Sequence, residues 1–158
     1  MKKFILIILF LNVFSLFFGL NPKDYKKIEL QEFLKFFNQT PGTSYFGISM
    51  YQMKINLPSH PIPIDDQDKK NITKAHTISN IESQESIDMY TYKVQLDFPP
   101  VVTYRDYCKI ILYFQDDLVQ YVKKEVKKNG KIKIYFVLTF IDTFYQQAFL
   151  LITGFETL

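Results

Sequence analysis

Residues 116–133 decide the fold, and they read DDLVQYVKKEVKKNGKIK. Wound as a helix, this stretch places four apolar side chains within about 100° of arc, with its lysines on the opposite side. The four are Leu118, Val119, Val122 and Val126. Aspartates at the start and lysines at the end suit the helix dipole, and Asn129-Gly130 fits a helix C-terminus. The sequence therefore predicts a helix over 116–128; the alternative is a hairpin over 118–142 with Asn129-Gly130 as its turn.

Apolar alternation on both sides of this helix predicts five strands. They cover residues 44–57, 88–98, 106–114, 132–140 and about 145–155. In the first strand the apolar side chains change face after Met50, which predicts a β-bulge. Further upstream, apolar residues spaced i, i+3, i+4, i+7 predict a helix over 24–38, which Pro41 and Gly42 end.

The resulting order is one helix followed by β-β-β-α-β-β. This is the element order of an OB-like barrel, in which a helix lies between the third and fourth of five strands. The expected fold class is therefore α+β and mainly antiparallel β, with an N-terminal helix on a five-stranded OB-like barrel. An all-β meander or sandwich is the alternative, and it requires the 118–142 hairpin. The likeness to the barrel lies in element order alone and implies no function.

Residues 1–20 have the pattern of an export signal. A short positively charged start precedes an apolar run of fifteen residues from Phe4 to Phe18. That length fits a secretory signal and falls short of the roughly 20 apolar residues of a spanning helix. The sequence thus predicts a secreted or periplasmic protein with one globular domain over 21–158. Because Phe17 or Val13 stands at position −3, where a small residue is wanted, when the chain is cut after Gly19 or Ser15, an uncleaved N-terminal membrane anchor is the alternative.

Composition excludes several classes of chemistry. The 158 residues include one cysteine and two histidines, which rules out an intrachain disulfide framework and a cysteine-based zinc site. The formal charge of +3 falls close to neutral once the two leader lysines are removed, so nucleic acid is not an expected partner. The chain has no G-x-S-x-G motif and no Gly-rich phosphate loop. We therefore expect no enzymatic activity and no cofactor.

Residues 58–86 form a long polar, proline-containing connection, which predicts a functional or unstructured loop with at most a short helix near 72–82. This connection contains three aspartates and two histidines, residue types that bind metal ions. Their spacing does not match that of an EF-hand loop, so an ordinary solvated loop is favoured over a metal site. These residues are Asp65, Asp66, Asp68, His60 and His76. The histidines would also be the bases of a hydrolase, but no nucleophile is positioned beside them by a rigid element.

Two groups of residues are candidates for ligand binding. Six lysines fall within 123–133 and would meet phosphates, anionic lipid or acidic glycan; the alternative is an ordinary solvated face of a helix and a strand. Residues 104–107 lead into the third strand, where OB-type barrels bind, and would stack against a flat ligand or a sugar. The candidate binding residues are Tyr104, Arg105, Tyr107, Lys123, Lys124, Lys127 and Lys128, and no metal site is expected.

The function predicted from the sequence is that of an exported, non-enzymatic binding or envelope-associated module. Its ligand would be met by loop 58–86 and by the face of the second and third strands. The partner would be an envelope protein, an anionic lipid or a glycan. A membrane-tethered structural protein is the second hypothesis and requires that residues 1–20 be retained; a secreted hydrolase that uses His60 or His76 is the third.

Overall fold

A computed structural model of the chain describes residues 22–38, 44–78, 88–99 and 108–158. The expected leader, residues 1–20, lies outside the described residues, as do the candidates Tyr104, Arg105 and Tyr107. Within the described ranges, seven strands form one sheet and three α-helices accompany it.

The strands are β1 (Lys26–Lys27), β2 (Ser44–Leu57), β3 (Ile62–Pro63), β4 (Tyr90–Phe98), β5 (Cys108–Gln115), β6 (Gly130–Asp142) and β7 (Gln147–Thr157). The helices are α1 (Leu30–Leu34), α2 (Asp66–Ile78) and α3 (Asp116–Glu125). The sheet order is β1-β2-β6-β7-β5-β4-β3; β1 is parallel to β2 and β5 to β7, and the other neighbours are antiparallel. The prediction of an α+β fold with a mainly antiparallel sheet is confirmed.

The predicted OB-like barrel is wrong, because the sheet is open. β2 and β4, which would be neighbours in the barrel, are separated by β6, β7 and β5. The chain travels between them through α2, whose Ile72 packs on one side of the sheet with apolar residues of β5, β6 and β7. This long crossover lets β4 join the sheet beyond β5 instead of pairing with β2.

Both sides of the sheet carry an apolar cluster, and we name each side by its helix. On the α3 side, Leu118 and Val122 of α3 pack with Leu112 and Phe114 of β5. On the α2 side, Ile72 packs with the alternate residues of β5, including Tyr113. Of the face expected to meet a ligand, the β5 part is therefore covered on both sides, whereas Gln95 and Asp97 of β4 are exposed.

The helix predicted in the deciding stretch is confirmed, and the 118–142 hairpin is wrong. α3 begins at Asp116 and buries Leu118, Val119 and Val122. It ends at Glu125, three residues earlier than predicted, because Val126 is extended at φ −107° and ψ 116° and is buried in the core.

Asn129 and Gly130 form a separate turn after the helix. Asn129 has a positive φ of 60°, and the N–H of Gly130 donates to the carbonyl oxygen of Lys127 at 2.7 Å. A Cβ at Gly130 would lie 2.7 Å from that same oxygen, so the turn requires glycine there. The N–H of Asn129 donates to the carbonyl of Leu57 at 2.8 Å and joins the turn to the end of β2.

The segment 58–86, read as a loop, contains α2 over Asp66–Ile78. Asp65 caps this helix: its Oδ1 accepts hydrogen bonds from the N–H groups of Gln67 and Asp68, each at 2.9 Å. Asp68 Oδ2 in turn accepts from the N–H of Asp65 at 3.0 Å. This reciprocal arrangement is a capping box built from two aspartates, and it starts a helix in an otherwise polar segment.

The N-terminal helix is shorter than the predicted 24–38. Lys26 and Lys27 pair with β2 instead, α1 spans Leu30–Leu34, and a 3₁₀ turn follows over Lys35–Asn38. The predicted apolar stripe still reaches the core, since Phe33 and Phe37 are fully buried. β2 has an irregularity against β6, but the register shift lies between Phe46 and Ser49, and the pairing is continuous at the predicted change of face after Met50.

Candidate functional site

The structure places the predicted lysines of 123–128 at the end of α3 and in the turn that follows it. Lys123 Nζ lies 4.9 Å from the centroid of the Tyr92 ring on β4, a cation–π contact. Lys124, Lys127 and Lys128 are exposed. The remaining candidates, residues 104, 105 and 107, lie outside the described ranges.

Strand register brings further lysines to the same end of the sheet. Leu57 at the end of β2 pairs with Gly130 at the start of β6, and Ile132 pairs with Thr157 at the end of β7. The end of β2, the start of β6 and the end of β7 therefore meet. The lysines located there are called the lysine end: Lys54, Lys127, Lys128, Lys131 and Lys133.

Three members of the lysine end share one face. The strand neighbours of Lys54, Lys131 and Lys133 are buried on the α3 side, so strand alternation turns these three side chains to the α2 side. Lys133 is directly opposite Lys54 on β2 and directly opposite Glu156 on β7. Like charges opposite each other across a sheet are destabilising. The lysine end thus contains a like-charge pair at its centre.

Glu156 is shared between Lys133 and Tyr135. Lys133 Nζ lies 2.7 Å from Glu156 Oε2, and the Tyr135 hydroxyl donates to Glu156 Oε1. Burial, and then the bond to Glu156, raises the pKa of Tyr135. Partial burial acts to lower the pKa of Lys133, but its hydrogen bonds and the Glu156 charge outweigh this and raise it. At neutral pH Tyr135 is therefore a neutral donor and Lys133 a cation.

Lys54 and Lys131 are the exposed cations of this face. Within the described residues neither of them forms an ion pair with a carboxylate. Lys27, and more weakly Lys54, lowers the pKa of Glu29, which lines the recess beside them. The ammonium groups of Lys54 and Lys131 stay exposed, whereas Lys133 is held by Glu156.

The recess beside these lysines is small. It has a volume of about 20 Å³ and is lined by Lys54, Lys133, Gln52 and Lys27, among others. Lys27 is paired with Glu29 at 2.9 Å. A volume of this size holds about one water molecule. The lysine end is therefore an open surface and encloses no organic ligand.

The aspartates considered as metal ligands are engaged at the start of α2. Lys93 Nζ lies 3.1 Å from Asp65 Oδ2 and 2.5 Å from Asp68 Oδ2, and the buried Tyr113 hydroxyl donates to Asp68 Oδ1 at 3.0 Å. The N–H of Asp68, and then Lys93, lowers the pKa of Asp65 to about 2. The described part of the chain has no group of three or more His, Cys, Asp or Glu side chains arranged to hold a metal ion.

Two other groups with catalytic potential are held by the fold. His60 Nε2 lies 2.9 Å from the carbonyl oxygen of Val126. Cys108 is fully buried, and burial raises its pKa to about 12, so the thiol stays protonated at neutral pH. The side chain of His76 is outside what the structure describes.

The sequence reasoning missed Lys54 and Glu156, because both are far from the lysine run along the chain. A partial signal existed in β2, where Lys54 stands between the apolar residues Met53 and Ile55 and so had to face away from them. The pairing of β2 with β6, which brings Lys54 to Lys133, had no signal in the sequence.

No protein-family model, no curated protein and no solved structure matches this chain. Among the described helices, none combines the length and the apolar character that crossing a bilayer requires.

Proposed function

We propose that this chain is an exported, non-enzymatic binding module that engages an extended anionic ligand through the lysine end. The observation that carries the proposal is the juxtaposition of Lys54 and Lys133 on adjacent strands, with Lys131 beside them. A pair of like charges costs stability, and departures from favourable local pairing are expected at functional sites. An anion lying across β2 and β6 would pair with Lys54 and Lys131, the cations of this face that Glu156 leaves unneutralised.

The non-enzymatic part of the proposal is supported by the engagement of the titratable groups. Asp65 and Asp68 cap α2 and pair with Lys93. The Cys108 thiol is buried and protonated, and the His60 ring contacts a main-chain carbonyl. Catalysis needs a nucleophile and a base that converge on a substrate. Export is supported by the apolar run from Phe4 to Phe18.

The test uses a soluble polyanion, dextran sulfate, with neutral dextran as its control. We expect the full chain to bind dextran sulfate at about 50 mM salt and to lose most of that affinity near 500 mM, because salt screens exposed charges. Neutral dextran should not bind. Titration calorimetry measures both.

Two charge-matched variants locate the binding surface. Lys54→Gln with Lys131→Gln removes the two exposed cations of the lysine end and should weaken binding about tenfold or more, at roughly 1 kcal/mol per lysine. Lys69→Gln with Lys70→Gln removes the same charge from the exposed face of α2 and should change affinity less than about twofold. Equal losses in the two variants, or no binding of dextran sulfate, would contradict the proposal.

A further inference from the structure

Resting on the proposed function, we infer that the extended anion met by the lysine end is the phosphate-bearing surface of an anionic lipid membrane. Four features favour this occupant: the shape of the surface, the type of its cations, the position of its aromatic residue and its contact with residues 25–27, which follow the apolar run of the sequence.

The first feature is shape. The cations project from β2 and β6 and from the turn before β6, and the recess among them holds about one water molecule. Small anions are bound in concave sites with several converging donors. An open strip of ammonium groups instead matches an extended charged plane, and clusters of four or more basic residues are attracted to anionic membranes.

The second feature is the type of cation. Every cation of the lysine end is lysine, and the one arginine of the chain is Arg105. Arginine forms bidentate pairs with individual phosphates or carboxylates, whereas lysine acts as a flexible point charge. The lysine end is therefore suited to diffuse attraction toward many headgroups, and less to recognition of one defined polymer unit.

The third feature is the aromatic residue. A protein that binds a ligand with flat rings needs exposed aromatic side chains on which those rings can stack. Tyr135, the tyrosine within this face, is 3% exposed, and its hydroxyl donates to Glu156. Tyr25 also packs edge-to-face against Tyr135, with ring centroids 5.3 Å apart. The aromatic group at the lysine end thus belongs to the packing beneath the lysines.

The fourth feature is the position of residues 25–27, which come early in the described part of the chain. The Tyr25 hydroxyl is 2.9 Å from Thr153 Oγ1 on β7, and Lys27 lines the recess together with Lys54. Residues 25–27 are therefore attached to the same three strands as the lysine end. The apolar run that ends at Phe18 is seven residues upstream. While the leader is still attached, one apolar segment combined with a basic patch is the two-part signal that holds proteins at membranes, and once the leader is cleaved the basic patch alone meets the membrane.

The experiment measures sedimentation of the full chain with vesicles of two compositions. One is phosphatidylcholine alone, and the other contains about 30% phosphatidylglycerol, at about 50 mM salt. Insertion of the apolar run contributes to binding of both kinds of vesicle. The readout is therefore the partition coefficient for the anionic vesicles divided by that for phosphatidylcholine vesicles. For the wild type we expect a ratio well above one. Lys54→Gln with Lys131→Gln should lower this ratio by about 10- to 30-fold. The control, Lys69→Gln with Lys70→Gln, should lower the ratio by less than about twofold.

The outcomes separate this inference from the proposed function. Binding to dextran sulfate without preference for phosphatidylglycerol vesicles would overturn the membrane inference and leave an acidic glycan or another soluble polyanion as the ligand. A preference for anionic vesicles that both double variants reduce equally would also overturn it. Failure to bind either anion would overturn both proposals.

Discussion

At the scale of single residues, Asp65 shows how one carboxylate connects local and distant structure. Its Oδ1 accepts two N–H groups at the start of α2, and its Oδ2 meets Lys93 of β4. Both contacts favour the ionised form, and the pKa of Asp65 falls to about 2 as a result. Because the pKa is depressed in the folded state, the stabilisation is complete above the ordinary value near 4. It is lost as pH falls from about 4 toward 2.

We predict that Asp65→Asn reduces the acid sensitivity of the protein. Asparagine keeps the helix cap but has no charge to lose. The free energy of unfolding of the wild type should fall more steeply between about pH 4 and pH 2 than that of the variant. Urea unfolding followed by circular dichroism measures both slopes.

Asp66→Asn is the matched control for this prediction. Asp66 is exposed and its contact with Lys69 is 3.8 Å long. An exposed pair of this kind contributes little to stability. The control should therefore keep the wild-type slope, and an Asp65→Asn slope equal to that of the control would contradict the prediction.

At the scale of elements, α2 is attached to the sheet by an ion pair between the buried Asp68 and the partly buried Lys93. Asp68 has 5% of its side chain exposed, and it meets Lys93 at 2.5 Å and the Tyr113 hydroxyl at 3.0 Å. Partial burial acts to lower the pKa of Lys93, but Asp68 and Asp65 outweigh this and raise it. Among the described side chains of the helix, Ile72 is fully buried beside this contact. The polar contact and Ile72 together dock α2 on the sheet.

We predict that Lys93→Met destabilises the fold by about 3 kcal/mol, because it leaves the Asp68 carboxylate buried without a cation. Adding Asp68→Asn to Lys93→Met should recover part of this loss, since the buried charge is then gone. Equilibrium urea unfolding gives both values.

Lys69→Met is the control for this pair, because Lys69 contacts Asp66 at 3.8 Å with both side chains exposed. We expect a change within about 0.5 kcal/mol. If Lys93→Met were as mild as Lys69→Met, the ion pair would not be what holds α2 on the sheet.

The two longer helices differ in how far they could be predicted. α3 could be predicted from its sequence, because three apolar residues at helical spacing lie on one side of the helix and the lysines on the other. The apolar side is the one that the structure buries. α2 has one fully buried apolar residue among its described side chains and depends on a capping box and on Lys93, a residue distant in sequence. Periodicity reports burial of apolar faces, so it detects α3 and overlooks α2.

At the scale of the whole molecule, strand pairing was the part that local patterns could not supply. Alternation locates β4 and β6 but carries no record of which strand lies beside which. β2 pairs with β6, about eighty residues away, instead of pairing with β4 as a barrel would require. The same pairing brings Lys54 opposite Lys133. The like-charge pair of the candidate site therefore exists only in the assembled sheet. Half of that site, Lys131 and Lys133, was visible as a run, and the other half, Lys54 and Glu156, was not.

The predicted leader also concerns the whole molecule, because it determines the cellular compartment in which the lysine end would bind its ligand. The run from Phe4 to Phe18 is long enough for a secretory signal, and Lys2 and Lys3 supply the positive start. A charge placed in the middle of such a run costs about 2.5–3.5 kcal/mol on insertion. Export should therefore depend on the run being apolar and should be indifferent to the lysine end.

We predict that the full chain, made in a cell with a secretory pathway, is recovered outside the cytosol with a new N-terminus near Leu20 or Asn21. Leu9→Arg should leave it in the cytosol at full mass, because the charge opposes insertion of the run. Lys54→Gln with Lys131→Gln should be exported and processed like the wild type. Fractionation with intact-mass measurement tests all three. A wild type found in the cytosol at full mass would contradict export, and one found in membranes still starting at Met1 would show that the leader remains as a tether.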